Sequence, residues 1–190
     1  MEIKKTPIKG LLILQPAVFS DKRGSFSESF RLDVLEQALG HKADFIQDNE
    51  SFSTYGVIRG LHYQLPPHAQ SKLVRVVHGK VWDVVVDLRP KSMTFKKSFA
   101  LELSDENNLQ LFIPRGFAHG YSTLSPTSIF QYKVDNYYHQ ESEKSLQFDE
   151  PFVGIDWQLP EKDWLVSEKD KQNPFLEEAV LFDSNPPLYE

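Results

Sequence analysis

The sequence predicts an all-β fold, an antiparallel sandwich or jelly-roll barrel with a few short helices. Three observations carry this. Short runs rich in β-branched residues recur through the middle of the chain, Gly, Pro and Asn punctuate them, and strands do not alternate with helices as they would in a parallel sheet. The 190 residues, 40% hydrophobic and 13% aromatic, suit one domain with a sizeable core.

Taken in chain order, the first element is a short amphipathic helix at residues 31–39. Strands follow at 57–64, 72–77 and 81–88, with His78-Gly79-Lys80 as a turn between the last two. Further strands are expected at 98–103, 110–113, 120–123 and 129–135. In 81–88 one face carries Val81, Asp83, Val85 and Asp87, and the other carries Trp82, Val84, Val86 and Leu88. The second face is uniformly apolar and needs a cover, either the other sheet of the sandwich or a second subunit; a dimer is the usual closed symmetry for such a contact. From residue 149 the character changes, with Trp157, Trp164, several prolines and scattered acids. This stretch, about 149–190, reads as irregular segments packed over the barrel of a single domain spanning 1–190. A short helix is expected at 167–172, where Ser167 and Asp170 have capping-box spacing with Asp in place of Glu or Gln.

Composition excludes several chemistries. The chain has no cysteine, hence no disulfide framework, thiolate metal site or cysteine nucleophile. A formal net charge of -6 argues against general affinity for nucleic acid, which needs clustered Lys and Arg. No apolar run approaches the eighteen or so residues of a membrane span, and the lysine-interleaved residues 1–10 do not read as a secretory signal. A cytoplasmic protein with no nucleic-acid or membrane partner is expected.

Residues 45–75 are dense in polar groups set among apolar ones: Gln47, Asn49, Ser51, Ser53, Arg59, His62, Gln64, Gln70, Lys72 and Arg75. For any single residue, the solvated face of a half-exposed sheet is explanation enough; a strand that only packs does not need all of them. His62 has a side chain able to accept a proton near neutral pH. Strict alternation puts Arg59 and His62 on opposite faces, and they share a site only if Gly60 marks a bulge. Pro114-Arg115-Gly116-Phe117-Ala118-His119-Gly120 resembles half of a cupin metal motif. The upstream partner reads His62-Tyr63-Gln64, so the second histidine ligand is missing, and no metal is expected. His119 is free to hydrogen-bond an acid such as Asp83. Tyr132 and the Tyr137-Tyr138 pair read, on their own, as core or interface aromatics with a polar tip.

Together these motifs resemble the dTDP-4-dehydrorhamnose 3,5-epimerase family. The resemblance rests on Gln47-Asp48-Asn49, Arg59-Gly60-Leu61-His62-Tyr63-Gln64, Ala69-Gln70-x-Lys72-Leu73-Val74-Arg75 and Pro114-x-Gly116-Phe117-Ala118-His119-Gly120. It extends to Arg23-Gly24-x-Phe26 with Glu28, Val85-Val86-Asp87-Leu88-Arg89, Tyr132-Lys133, Asn136-Tyr137-Tyr138 and Ser167-x-Lys169-Asp170. Gly120-Tyr121 stands where the family has Gly-Phe. The resemblance implies a cupin-type jelly roll, a homodimer, no cofactor, and a thymidine-diphosphate 4-keto-6-deoxyhexose as substrate. It makes His62 the base, oriented by Asp170, and Tyr132 the acid, with Lys72 and Arg59 near the sugar oxygens. Arg23 is expected near the diphosphate, Phe26, Glu28, Gln47 and Asn49 around the nucleotide, and His119 in the pocket. Tyr138 either shares the acid role or stacks on the base. A single-carbon epimerase, a ketoisomerase, a metal cupin and a non-catalytic sugar-binding cupin are the alternatives.

Overall fold

In the computed structural model, which describes residues 1–183, fourteen strands account for most of the regular structure. They are β1 (Glu2–Lys5), β2 (Leu12–Gln15), β3 (Val18–Asp21), β4 (Gly24–Ser27), then helix α1 (Leu32–Leu39), β5 (Gln47–Thr54), β6 (Val57–Gln64) and β7 (Lys72–His78). There follow β8 (Lys80–Asp87), β9 (Ser98–Ser104), β10 (Gln110–Ile113), β11 (Phe117–Thr123), β12 (Thr127–Val134), β13 (Glu143–Ser145) and β14 (Leu165–Val166). One sheet runs β1-β2-β10-β7-β12-β5 and the other β13-β6-β11-β8-β9, with β14 alongside β6. Apart from the parallel β14–β6 pair, the pairings are antiparallel. This is the expected jelly-roll class. No described helix is long and apolar enough to cross a membrane.

The turn expected at residues 78–80 proves to be a corner between the two sheets. β7 pairs with β10 and β12, whereas β8 pairs with β9 and β11. Gly79 makes this change of sheet at φ +77, where a Cβ would lie 2.1 Å from the Thr127 carbonyl oxygen. No side chain fits there, so the corner needs glycine.

The core has three layers. Between the sheets, Val74 and Val76 meet Val81, Val85, Leu103, Leu111, Phe117, Tyr121 and Phe130. Outside the first sheet, Leu35 of α1 packs on Leu12, Leu14, Leu73 and Phe112. The uniformly apolar face of β8 points the other way, outward. Val84, Val86 and Leu88 join Ile58 and Leu61 beneath Leu146, Phe148, Trp157, Leu176 and Phe182. Its cover is therefore the C-terminal segment of the same chain, in place of the opposite sheet or a second subunit. The mixed face, with Asp83, looks into the barrel. The last seven residues, 184–190, of the expected C-terminal covering lie outside the described part. The expected helix at 167–172 reduces to one 3-10 turn, Asp170–Gln172, and ends at Asn173, which is extended before Pro174.

Trp157 is 1% exposed and donates its indole N–H to the Phe148 carbonyl at 3.0 Å. Trp157→Ala is expected to cost about 3–5 kcal/mol in urea unfolding. A loss below about 0.5 kcal/mol, the range of ordinary surface changes, would contradict the covering role of this segment.

Candidate active site

The site begins with a departure from strand alternation. In the pairing of β6 with β11, His62 faces His119 and Arg59 faces Tyr121, so β6 spends one residue more than its partner. Gly60 occupies the irregularity at φ +125, and the Gly60–Leu61 peptide bond is cis. A Cβ on Gly60 would lie 2.7 Å from Gly120 Cα, and one on Gly120 would lie 2.6 Å from the Arg59 carbonyl oxygen. Two glycines thus let the backbones touch. The bulge required by the sequence is present, and Arg59 and His62 open onto one cavity of about 520 Å³ between the sheets. Lys72 from β7, Tyr132 from β12, and His119 and Tyr121 from β11 complete its wall, with Asp170. A recess of about 180 Å³ adjoins it, sharing His62, Lys72 and Tyr132 and adding Gln47, Asn49, Tyr138 and Glu143.

His62 Nε2 and Asp170 Oδ1 are 2.7 Å apart. Asp170 is 4% exposed and its backbone N–H donates to Ser167 Oγ at 3.0 Å, half of a capping box. Its carboxylate does not reach back to close the box but turns to His62. Burial alone would raise the Asp170 carboxyl, yet the hydrogen bonds from His62, Ser167 and the Gly60 backbone outweigh it and hold it below its ordinary value. In the neutral form of the ring, an ionised acceptor favours the proton on Nε2 and leaves Nδ1 with its lone pair.

A second histidine–carboxylate pair lies deeper. His119 Nε2 and Asp83 Oδ2 are 2.9 Å apart, and Asp83 is fully buried. Desolvation pulls His119 below its usual value against the attraction of Asp83, so its ring is neutral. Lys72 reaches into the same interior. Desolvation brings its ammonium down to about 8, partly countered by Asp83 and Glu143, and it lies 5.8 Å from the centre of the Tyr132 ring. Burial and the neighbouring Tyr121 push the Tyr132 phenol up, so it keeps its proton at neutral pH. Near the mouth, Tyr138 donates to Glu143 Oε2 at 3.1 Å, where Lys169 also binds at 2.7 Å.

Of the residues singled out in the sequence, His62, Lys72, Tyr132, Asp170, Arg59, His119, Gln47, Asn49 and Tyr138 line these two connected spaces. Arg23, Phe26 and Glu28 do not. They lie on or just after the hairpin β3–β4, whose strands pair only with one another. Arg23 binds Asp21 at 2.6 Å, Glu28 lies 3.8 Å from Arg31, and Phe26 is 71% exposed. Glu143 was not foreseen, since its strand has only three residues, too short for a period to register. Nor was Tyr121, although its departure from the family pattern marked the position. Among the described residues no group of three or more His, Asp or Glu side chains is placed to hold a metal ion.

A histidine held by a carboxylate, an un-ionised phenol from the facing sheet and a lysine in a desolvated cavity define a jelly-roll protein equipped for proton transfer at carbon. The family model described as dTDP-4-dehydrorhamnose 3,5-epimerase matches residues 5–178, and the chain belongs to that family. It is 49% identical over 182 residues to the dTDP-4-dehydrorhamnose 3,5-epimerase of Shigella flexneri, covering 96% of this chain and 99% of the relative. The crystal structure of the Elizabethkingia anophelis enzyme of the same description superimposes with a TM-score of 0.90 at 50% identity, covering 93% of this chain and 97% of that one. The dTDP-6-deoxy-D-glucose-3,5-epimerase of Legionella pneumophila, solved in complex with dTDP-4-keto-L-rhamnose, is similar at a TM-score of 0.89 and 45% identity, covering 93% of each chain.

Because a methyl group at position 60 must displace backbone, Gly60→Ala is expected to lower stability by about 1–3 kcal/mol in urea unfolding. An unchanged unfolding midpoint would show that the approach of β6 to β11 is not tight.

Proposed function

We propose that this protein inverts C3 and C5 of dTDP-4-dehydro-6-deoxy-D-glucose, giving dTDP-4-dehydro-L-rhamnose for L-rhamnose biosynthesis. The observation that carries this is the Asp170–His62 pair opening on the same cavity as Lys72 and the protonated Tyr132. Protons on carbons beside a ketone are acidified because their removal leaves an enolate. His62 Nδ1 takes the proton, and Asp170 holds the other nitrogen in the matching tautomer. Lys72 partners the enolate oxygen; one donor aimed at developing charge in a water-poor site contributes on the order of 3 kcal/mol. Tyr132 returns a proton from the opposite face and so inverts the carbon, a role of about a hundred- to ten-thousand-fold for a positioned acid. One proton leaves and one arrives, with no change of oxidation state, so the reaction calls for no redox cofactor.

Arg59 and His119 are assigned to the sugar end of the ligand, and Gln47, Asn49 and Tyr138 to the nucleotide end in the adjoining recess. The hairpin β3–β4 supports a homodimer: Phe19 and Phe26 are 66% and 71% exposed, and its strands bond only each other. In the dimer the hairpin is offered to the second subunit, carrying Arg23, Phe26 and Glu28 to the partner's recess. The rest, including the segment from residue 149, works as one jelly-roll domain, and the protein acts in the cytoplasm.

Incubation with substrate in deuterated water tests the reading. Label is expected at both C3 and C5 by NMR, and His62→Ala should abolish it. Label at one carbon would replace the reading with a single-site epimerase, and none with folded, nucleotide-binding protein would overturn it. The lysine adds a pH signature. Lys72 is a cation below its value of about 8 and loses its charge as pH rises through it, so kcat/KM should fall on an alkaline limb near pH 8. Lys72→Arg, whose guanidinium stays charged, should move that limb upward at a lower rate. A limb that stays in place would remove Lys72 from the enolate.

A further inference from the structure

Tyr121 takes no part in the proton transfers, yet its hydroxyl lies buried in the wall of the same cavity. The residue is 4% exposed, and its ring stacks on Phe130 with centroids 4.3 Å apart. The stack places the ring; it does not account for the hydroxyl. That oxygen lies 2.8 Å from Ser51 Oγ and 3.2 Å from Ser53 Oγ. Ser53 in turn accepts from Arg59 Nε at 3.1 Å, and Arg59 Nη2 donates to the Phe52 carbonyl at 3.1 Å.

The direction of the chain follows from its charged end. A guanidinium only donates, so Ser53 Oγ is an acceptor toward Arg59 and must place its own proton elsewhere. Ser53 is 3% exposed, and a buried O–H left without an acceptor is costly. The acceptor within reach is the Tyr121 oxygen. Tyr121, having accepted from Ser53, donates to Ser51. Ser51 is then committed as an acceptor toward Tyr121, and its own O–H is turned to the cavity that it lines.

We propose that Tyr121 is a positioning residue for ligand binding, fixing the Ser51 hydroxyl as a donor into the cavity beside Arg59. The pair takes an acceptor oxygen of the bound sugar diphosphate. The inference rests on the epimerase reading for the identity of that ligand, while the relay itself follows from the geometry. Replacing the phenol with phenylalanine keeps the stack and cuts the relay in the middle, so Ser51 and Ser53 are free to rotate.

The test is steady-state kinetics of Tyr121→Phe, Ser51→Ala and the double variant, alongside calorimetric titration with dTDP-glucose, which lacks the ketone and is not turned over. Losing one oriented neutral hydrogen bond in binding should raise KM about fivefold to tenfold with kcat held within about twofold, and weaken dTDP-glucose to match. The double variant should bind no worse than Ser51→Ala, since Tyr121 acts through that serine. An unchanged KM in Tyr121→Phe, or losses that multiply in the double variant, would overturn the proposal. Should Tyr121→Phe not fold, Ser51→Ala decides: full affinity in it overturns the proposal equally. If the wild type turns over no substrate, the epimerase reading falls and the dTDP-glucose titration alone judges the relay.

Discussion

One close backbone contact underlies the rest of the site. Gly60 on β6 lies against Gly120 on β11 so tightly that a methyl group on either would overlap the other strand. The bulge this permits puts Arg59 and His62, three positions apart, on a single cavity that strict alternation would have denied one of them. A strand supplies stiffness, and the bulge supplies aim. With His62 turned inward, Asp170 reaches it from a 3-10 turn more than a hundred residues later, and that turn is held in place by the C-terminal segment packing over the apolar face of β8.

Desolvation then sets the protonation of the cavity. It disfavours charge, and its effects on Lys72, His119 and Tyr132 all run toward the neutral form. Asp170 is the exception, kept ionised by the hydrogen bonds gathered on it. The outcome is a fixed anion bonded to a histidine, a phenol that holds its proton and a lysine close to its titration point, the arrangement on which the proposed proton transfers rest. The same shielding that weakens the lysine's charge strengthens what remains of it against a developing oxyanion.

Much of this was legible in the sequence, and the failures have physical causes. The strands β6 and β8 showed themselves through their β-branched residues, and β9 and β10 as short apolar runs between polar and turn-forming segments. β5 was not recognised as a strand, since its inward residues are Gln47, Asn49, Ser51 and Ser53, polar because they face the cavity, so its period of two carried no apolar signal. The Gly79 corner looked like a hairpin because a change of sheet and a two-strand turn use the same glycine. The apolar face of β8 was evident, but its cover is irregular chain without periodicity. The joint roles of His62, Lys72, Tyr132 and Asp170 came from family resemblance; read singly, His62 and Lys72 fitted the solvated face of a half-exposed sheet, Tyr132 a core or interface aromatic and Asp170 a capping position, because what unites them is long-range pairing. Tyr121 differed from the family pattern by a single oxygen, and its role emerges only when the neighbouring serines and Arg59 are seen in place.

The most direct measurement is the tautomer of His62, read from the nitrogen-15 shifts of its ring in the free protein at a pH where the ring is neutral. The expected result is hydrogen on Nε2, facing Asp170, with Nδ1 bare, and loss of that preference in Asp170→Asn. Hydrogen on Nδ1 in the wild type would direct the basic lone pair at a carboxylate instead of a substrate, and would contradict the assignment of the Asp170–His62 pair as the oriented base.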